Sequence, residues 1–111
     1  MENTINNLEE LEKVRRENTA VLIYVSTKNC NVCKVLKPKL KEFLSVEFPE
    51  IKFYYLDAEE NKVAAAQLSV FAVPTILLYF EGNEFLRKSR SFSVELLGDE
   101  IDRPYNLLFP S

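Results

Sequence analysis

The sequence predicts an α/β fold in which a mixed sheet is sandwiched between helices, and three observations carry that expectation. Short β-branched runs alternate with helical periodicities, the last two strand-like runs are joined by a Gly-containing turn, and 111 residues fit one core without room for a second. Residues 1–111 therefore read as a single domain. Asn7 with Glu10 three residues on forms a capping-box pattern, and Leu8, Leu11 and Val14 recur at helical spacing through Arg16. Ala20–Val25 is a short apolar run of the kind a strand buried on both faces shows. After the turn residues Ser26-Thr27-Lys28-Asn29, Val32, Leu36, Leu40 and Phe43 make one stripe of a second helix that runs to about Val46, with Pro38 expected to kink it.

Phe48-Pro49-Glu50 breaks that helix, and the aromatic and β-branched run Ile51–Leu56 reads as a strand. Glu59–Leu68 is alanine-rich and periodic, a third helix. Thr75–Phe80 and Glu84–Arg90 make a hairpin about Glu81-Gly82-Asn83. Ser93 caps a last helix expected to reach Ile101, to be strained at Gly98 and to stop before Pro104. The tail Tyr105–Phe109 is apolar, and folding back onto the sheet is the expected fate of such a cluster.

Lys+Arg 14 against Asp+Glu 17 leaves a net charge of −3, without the global positive field that nucleic-acid or anionic-membrane binding uses. His is absent, which removes Ser-His-Asp and Cys-His catalysis and imidazole ligation. No apolar stretch approaches the roughly 20 residues that span a bilayer, and residues 1–20 carry five Glu rather than a basic then apolar leader, so a cytoplasmic location is expected. The only cysteines are Cys30 and Cys33, too few for the disulfide framework of a small secreted domain.

Cys30-Asn31-Val32-Cys33 falls at a strand-to-helix junction, where unpaired N–H groups and the helix dipole favour a Cys30 thiolate. At about 100° per residue Cys33 turns toward the Leu36/Leu40 stripe, and becomes the shielded, resolving thiol. Lys28, Lys34, Lys37, Lys39 and Lys41 place five positive charges between residues 28 and 41 with no acid among them, a field that lowers the thiol pKa, with Lys28 and Lys34 the candidate tuning residues. The same lysines also fit the solvated face of an amphipathic helix. A zinc site needs four ligands, so a metal requires two chains each giving a CxxC, and a structural disulfide across so short a loop constrains the unfolded chain little. No cofactor or resident metal is expected.

From Asn18 to Ile101 the sequence resembles the thioredoxin family. The residues that carry the resemblance are the strand Val21–Val25, Cys30-Asn31-Val32-Cys33-Lys34, Pro38 five residues beyond, Leu56-Asp57, Val73-Pro74-Thr75 and Gly82 in the hairpin turn. It implies a three-layer α/β/α sandwich with a sheet of four to five strands. It further implies a cis Val73–Pro74 bond beside the cysteines, and a substrate groove bordered by Val32, Val73, Pro74 and Arg90. Where the family carries a buried Asp and a Lys on the neighbouring strand, this chain reads Tyr24 and Phe53; Asn29 replaces a Trp, Arg90 a Gly, and Asn31-Val32 a Gly-Pro. The family's first strand is reduced to Thr4-Ile5 at most, which leaves Ile51–Asp57 as an edge.

The expectation is a monomeric thiol–disulfide oxidoreductase working by dithiol–disulfide exchange, with Cys30 as nucleophile and Cys33 resolving. Its partners are a disulfide-containing protein and a reductase or other thiol donor. Deprotonation of Cys33, without the Asp, falls to water or Glu59. Two alternatives are a redox-weak interaction module on the same fold and a metal-bridged dimer through paired CxxC motifs.

Overall fold

The computed structural model describes residues 3–110. Nine elements follow in the order β1 (Thr4–Ile5), α1 (Leu8–Glu17), β2 (Ala20–Ser26), α2 (Asn31–Glu47), β3 (Lys52–Asp57), α3 (Lys62–Gln67), β4 (Thr75–Phe80), β5 (Asn83–Ser89) and α4 (Val94–Leu108). The sheet order is β1-β3-β2-β4-β5, parallel across β1, β3 and β2 and antiparallel across β2, β4 and β5.

Because side chains alternate along a strand, β2 and β4 each feed two separate cores. Leu22, Tyr24, Ile76 and Leu78 point to the face covered by α2 and α4, where they meet Leu40, Leu44, Leu97 and Ile101. Val21, Ile23, Val25, Leu77 and Tyr79 point to the other face, against Leu11 and Val14 of α1 and Ala64 and Leu68 near α3. Both strands are buried along their whole length, which is why they read as unbroken apolar runs.

Four expectations change. β3 is not the edge, since the two-residue β1 pairs with Tyr55 and Leu56, and Tyr55 N–H donates to Asn3 O at 2.9 Å. The third helix starts later than Glu59, because the Asp57 carboxylate accepts from the N–H groups of Glu59 (2.9 Å) and Glu60 (3.1 Å) and holds them in a turn. The last helix does not stop before Pro104 but runs through it to Leu108. Pro104 removes one backbone donor, yet Tyr105 beyond it is buried, stacks edge-on to Phe48 at 5.0 Å, and its hydroxyl accepts from Glu50 N–H at 3.1 Å. Burial of the apolar face outweighs the lost hydrogen bond. Finally, Gly98 is a packing site within α4: a Cβ there would sit 2.6 Å from the Phe43 ring, so the glycine lets α4 close onto α2.

The apolar tail packs in part. Leu108 and Phe109 lie against the α2/α4 core, whereas Leu107 is 74% exposed. The β4–β5 turn has positive φ at both Glu81 (52°) and Gly82 (83°), the backbone a two-residue hairpin loop with right-handed strands requires.

Candidate redox site

β2 ends at Ser26 and delivers the chain through a short turn to the N-terminus of α2, so Cys30 becomes the helix N-cap. Its sulfur occupies the place of a capping oxygen, and Cys33 N–H donates to Cys30 Sγ at 3.2 Å. Cys30 and Cys33 are joined as a disulfide with their Cα atoms 5.2 Å apart. Cys30 is half-buried and Cys33 is 2% exposed, the asymmetry the helical spacing implied. A helix N-terminus with an N–H aimed at a sulfur stabilises that sulfur as an anion.

The lysines differ in their surroundings. Lys28 Nζ lies 2.7 Å from Glu60, and this carboxylate raises the ammonium pKa above its ordinary value. Its charge is thus offset locally. Lys37 and Lys41, one helical turn apart, lie over the rings of Tyr55 (4.1 Å) and Phe53 (5.9 Å). Lys34, in the first turn of α2, lines a cleft of about 370 Å³ together with Cys33, Lys37, Ser26 and Tyr55. Lys28 lines the same cleft, and among the described residues no carboxylate lies within ion-pair distance of Lys34.

Behind Cys33 stands Tyr24, wholly buried, whose hydroxyl donates to Cys33 O at 2.9 Å. Burial, with a smaller contribution from the neighbouring Tyr55, pushes the Tyr24 pKa up to about 12, so it stays neutral at ordinary pH. The strand register sets Tyr55, not Phe53, directly beside Tyr24, while the Phe53 ring stacks on Tyr24 at 5.9 Å. Tyr55 OH accepts from Ser26 Oγ at 3.1 Å. Glu59 lines a different cleft, with Asn6, Asn7 and Leu8, and is not among the residues lining the cleft of Cys33.

The Val73–Pro74 peptide bond is cis, with Pro74 buried and Val73 half-buried. Two bonds brace this loop: Thr75 Oγ1 donates to Ala72 O at 2.5 Å, and Arg90 N–H donates to Pro74 O at 2.7 Å. Arg90 is exposed and has a left-handed φ of 67°. Val32 is 62% exposed and lines a groove with Arg90. Arg87, which sequence reasoning passed over, donates from its guanidinium to Leu68 O (2.8 Å) and Ser69 O (3.0 Å) and so ties β5 to the segment leading into the cis bond. Its only sequence signal is Glu84 three residues earlier, with which it pairs at 2.9 Å. Among the described residues no cluster of three or more Cys, Asp or Glu side chains is arranged to hold a metal. Among the described residues no helix is long and apolar enough to cross a membrane.

Comparison with known proteins gives the same reading. The family model described as Thioredoxin matches residues 3–102. The chain is 34% identical over 103 residues to the thioredoxin-like protein YdfQ of Bacillus subtilis, which covers 93% of this chain and 91% of that protein. Thioredoxin Asp f 29 of Aspergillus fumigatus is 34% identical over 74 residues, 66% of this chain and 67% of the relative. Among solved structures, oxidized mitochondrial thioredoxin 3 of Saccharomyces cerevisiae superposes with a TM-score of 0.80 at 23% identity, over 90% of this chain and 92% of that one. A mutant thioredoxin from Halobacterium salinarum superposes with a TM-score of 0.79 at 26% identity, over 90% and 87%. Together with a CxxC pair at bonding distance, these relatives support thiol–disulfide oxidoreductase function. The chain belongs to the thioredoxin family.

Proposed function

We propose that the protein is a disulfide reductase in which Cys30 is the nucleophile and Cys33 the resolving thiol. The observation that carries this assignment is the asymmetry of the pair: a half-buried Cys30 at a helix N-cap, beside a buried Cys33 whose N–H points at Cys30 Sγ. Cys30 thiolate attacks one sulfur of the substrate disulfide and expels the other as a thiolate, which takes a proton from water. Cys33 gives its proton to water through the cleft it shares with Lys34, and its sulfur then attacks Cys30. The second substrate thiolate leaves, the substrate has gained two electrons, and the Cys30–Cys33 bond has formed. A reductase or other thiol donor restores the dithiol.

Val32, Val73, Pro74 and Arg90 border the substrate in this scheme, and Lys34 lowers the Cys30 pKa more than Lys28, whose charge Glu60 offsets. The protein works as a cytoplasmic monomer, a reading that rests on composition and cysteine usage. The test is single-turnover reduction of a protein disulfide by wild type, Cys30→Ser and Cys33→Ser. Wild type is expected to be fast, Cys30→Ser inert, and Cys33→Ser to accumulate a mixed disulfide. Equal rates for wild type and Cys30→Ser would remove the assignment.

Tyr24 favours a second reading, an interaction module with weak redox activity, because the side chain behind Cys33 is a neutral phenol that does not accept a proton. A Cys30 thiol pKa near the free value of about 8.5 supports that module, and a clearly lower one the reductase.

A further inference from the structure

Beside the CxxC pair a groove of about 380 Å³ runs between α2 and the segment after β5. Its floor is apolar, from Val32, Val35, Leu36 and Phe92, and its two walls carry cations, Lys39 on α2 and Arg90 opposite. Val35 is 74% exposed, so the apolar surface is open to an incoming chain. Among the described residues no carboxylate lies within ion-pair distance of Arg90. Lys39 is within electrostatic reach of Glu95, but that carboxylate is held by Ser93 Oγ at 3.2 Å and by the N-terminus of α4. Among the described residues no acidic side chain lines the groove itself.

Arg90 holds a left-handed backbone conformation, φ 67°, that L-residues with long side chains rarely adopt. Its N–H is bonded to Pro74 O, so the backbone is pinned to the cis loop and the guanidinium rises from the groove's rim. Across the groove Lys39 is the lysine of α2 that lines it, whereas Lys28, Lys34 and Lys37 line the cleft on the Cys33 side. A positive rim about an apolar floor beside the reactive sulfur is complementary to a segment that is itself apolar and acidic.

We propose that this groove selects substrates whose reactive disulfide is flanked by an extended segment carrying Asp or Glu next to an apolar residue, with Arg90 and Lys39 as the specificity-determining cations. The proposal rests on the reductase assignment and adds the substrate class to it. The apolar residue covers Val32 and Val35, and the carboxylate meets Arg90. Both cations are solvent-exposed, so the selection acts chiefly through the rate of encounter and weakens with salt.

The experiment uses three synthetic peptides with the same intramolecular disulfide and with Glu, Gln or Lys flanking one cysteine. Single-turnover reduction by the reduced protein is measured at low and high ionic strength for wild type, Arg90→Gly, which suits the positive φ, and the double variant Arg90→Glu with Lys39→Glu. The expected result is a Glu-over-Lys rate ratio of about tenfold for wild type at low salt. That ratio falls in Arg90→Gly, inverts in the double variant, and shrinks at high salt. Equal rates for the Glu and Lys peptides, or a ratio the double variant leaves untouched, overturns the proposal. If no peptide is reduced, the reductase assignment is what fails. Selectivity is then read with the same peptides, cysteines replaced by serine, from amide shifts at Val32, Val35 and Arg90: larger shifts with Glu than with Lys support the groove's charge selection, and equal shifts overturn it.

Discussion

The two ends of α2 are built in opposite ways. At its N-terminal end Asn31, Val32, Lys34 and Val35 are exposed and Cys33 is buried, and the reactive turn is held by the disulfide, the capping sulfur, Cys30 N–H to Thr27 O and Tyr24. Past Pro38, Leu40 and Leu44 are buried, and Phe48, just beyond the helix, packs on both Phe43 (6.0 Å) and Tyr105 (5.0 Å). Anchoring is concentrated in the half that does no chemistry. A helix fixed at its far end can therefore present a sulfur, an exposed valine and a lysine to a substrate while the fold keeps its core.

The largest effect that can break this division is Cys30→Ser, which is expected to abolish disulfide reduction while leaving thermal stability close to that of the reduced protein; a stopped assay beside a melting curve reads both. Next comes Phe48→Ala at the anchoring end. It should destabilise by about 3–5 kcal/mol in denaturant unfolding and leave the Cys30 thiol pKa unmoved, because it empties the aromatic cluster without touching the N-terminal turn. Gly98→Val drives a side chain into the Phe43 ring and should cost about 1–3 kcal/mol, again without a change in thiol pKa.

Tyr24→Phe sharpens the division at the reactive end. It removes the donor to Cys33 O, with an expected loss of about 1 kcal/mol and a measurable change in the reduction potential of the Cys30–Cys33 pair. Tyr24 also sets an alkaline limit. Its folded pKa of about 12 exceeds the unfolded value near 10, so its contribution is complete below pH 10 and is lost as pH rises from there through 12, where the unfolded chain has released the proton and the folded one has not. Tyr79, raised chiefly by burial, acts in the same direction. In Tyr24→Phe the fall in stability above pH 10 should become shallower. The smallest effect is expected of Lys28→Ala: its charge is offset by Glu60, so the Cys30 pKa should move less than in Lys34→Ala, as read by thiolate absorbance against pH.

Much of the molecule was legible because its signals are local. Unbroken apolar runs marked β2 and β4, helical spacing marked α1 and α2, and the CxxC lay where a strand meets a helix. Burial of Cys33 followed from the angle per residue alone. The misread elements depend on residues far apart in sequence. Pro104 looked like a stop until Phe48 and Glu50 supplied partners for Tyr105, and Gly98 looked like a weak point until Phe43 came within contact of it. Lys28 belonged to the cysteine field until Glu60 reached it.

By itself the sequence settled the order of the elements from α1 onward, the alternation that places the sheet between helices, and the CxxC pair, since each follows from dihedral preference, side-chain period and residue chemistry within a few positions. Only the tertiary structure decided that Tyr55 stands beside Tyr24, that Tyr24 bonds the backbone of Cys33, that β1 covers the end of β3, and that Arg90 faces Lys39 across a groove. Register and close approach between distant segments have no period to read. They arise when the whole core closes and each polar group takes the partner left within reach.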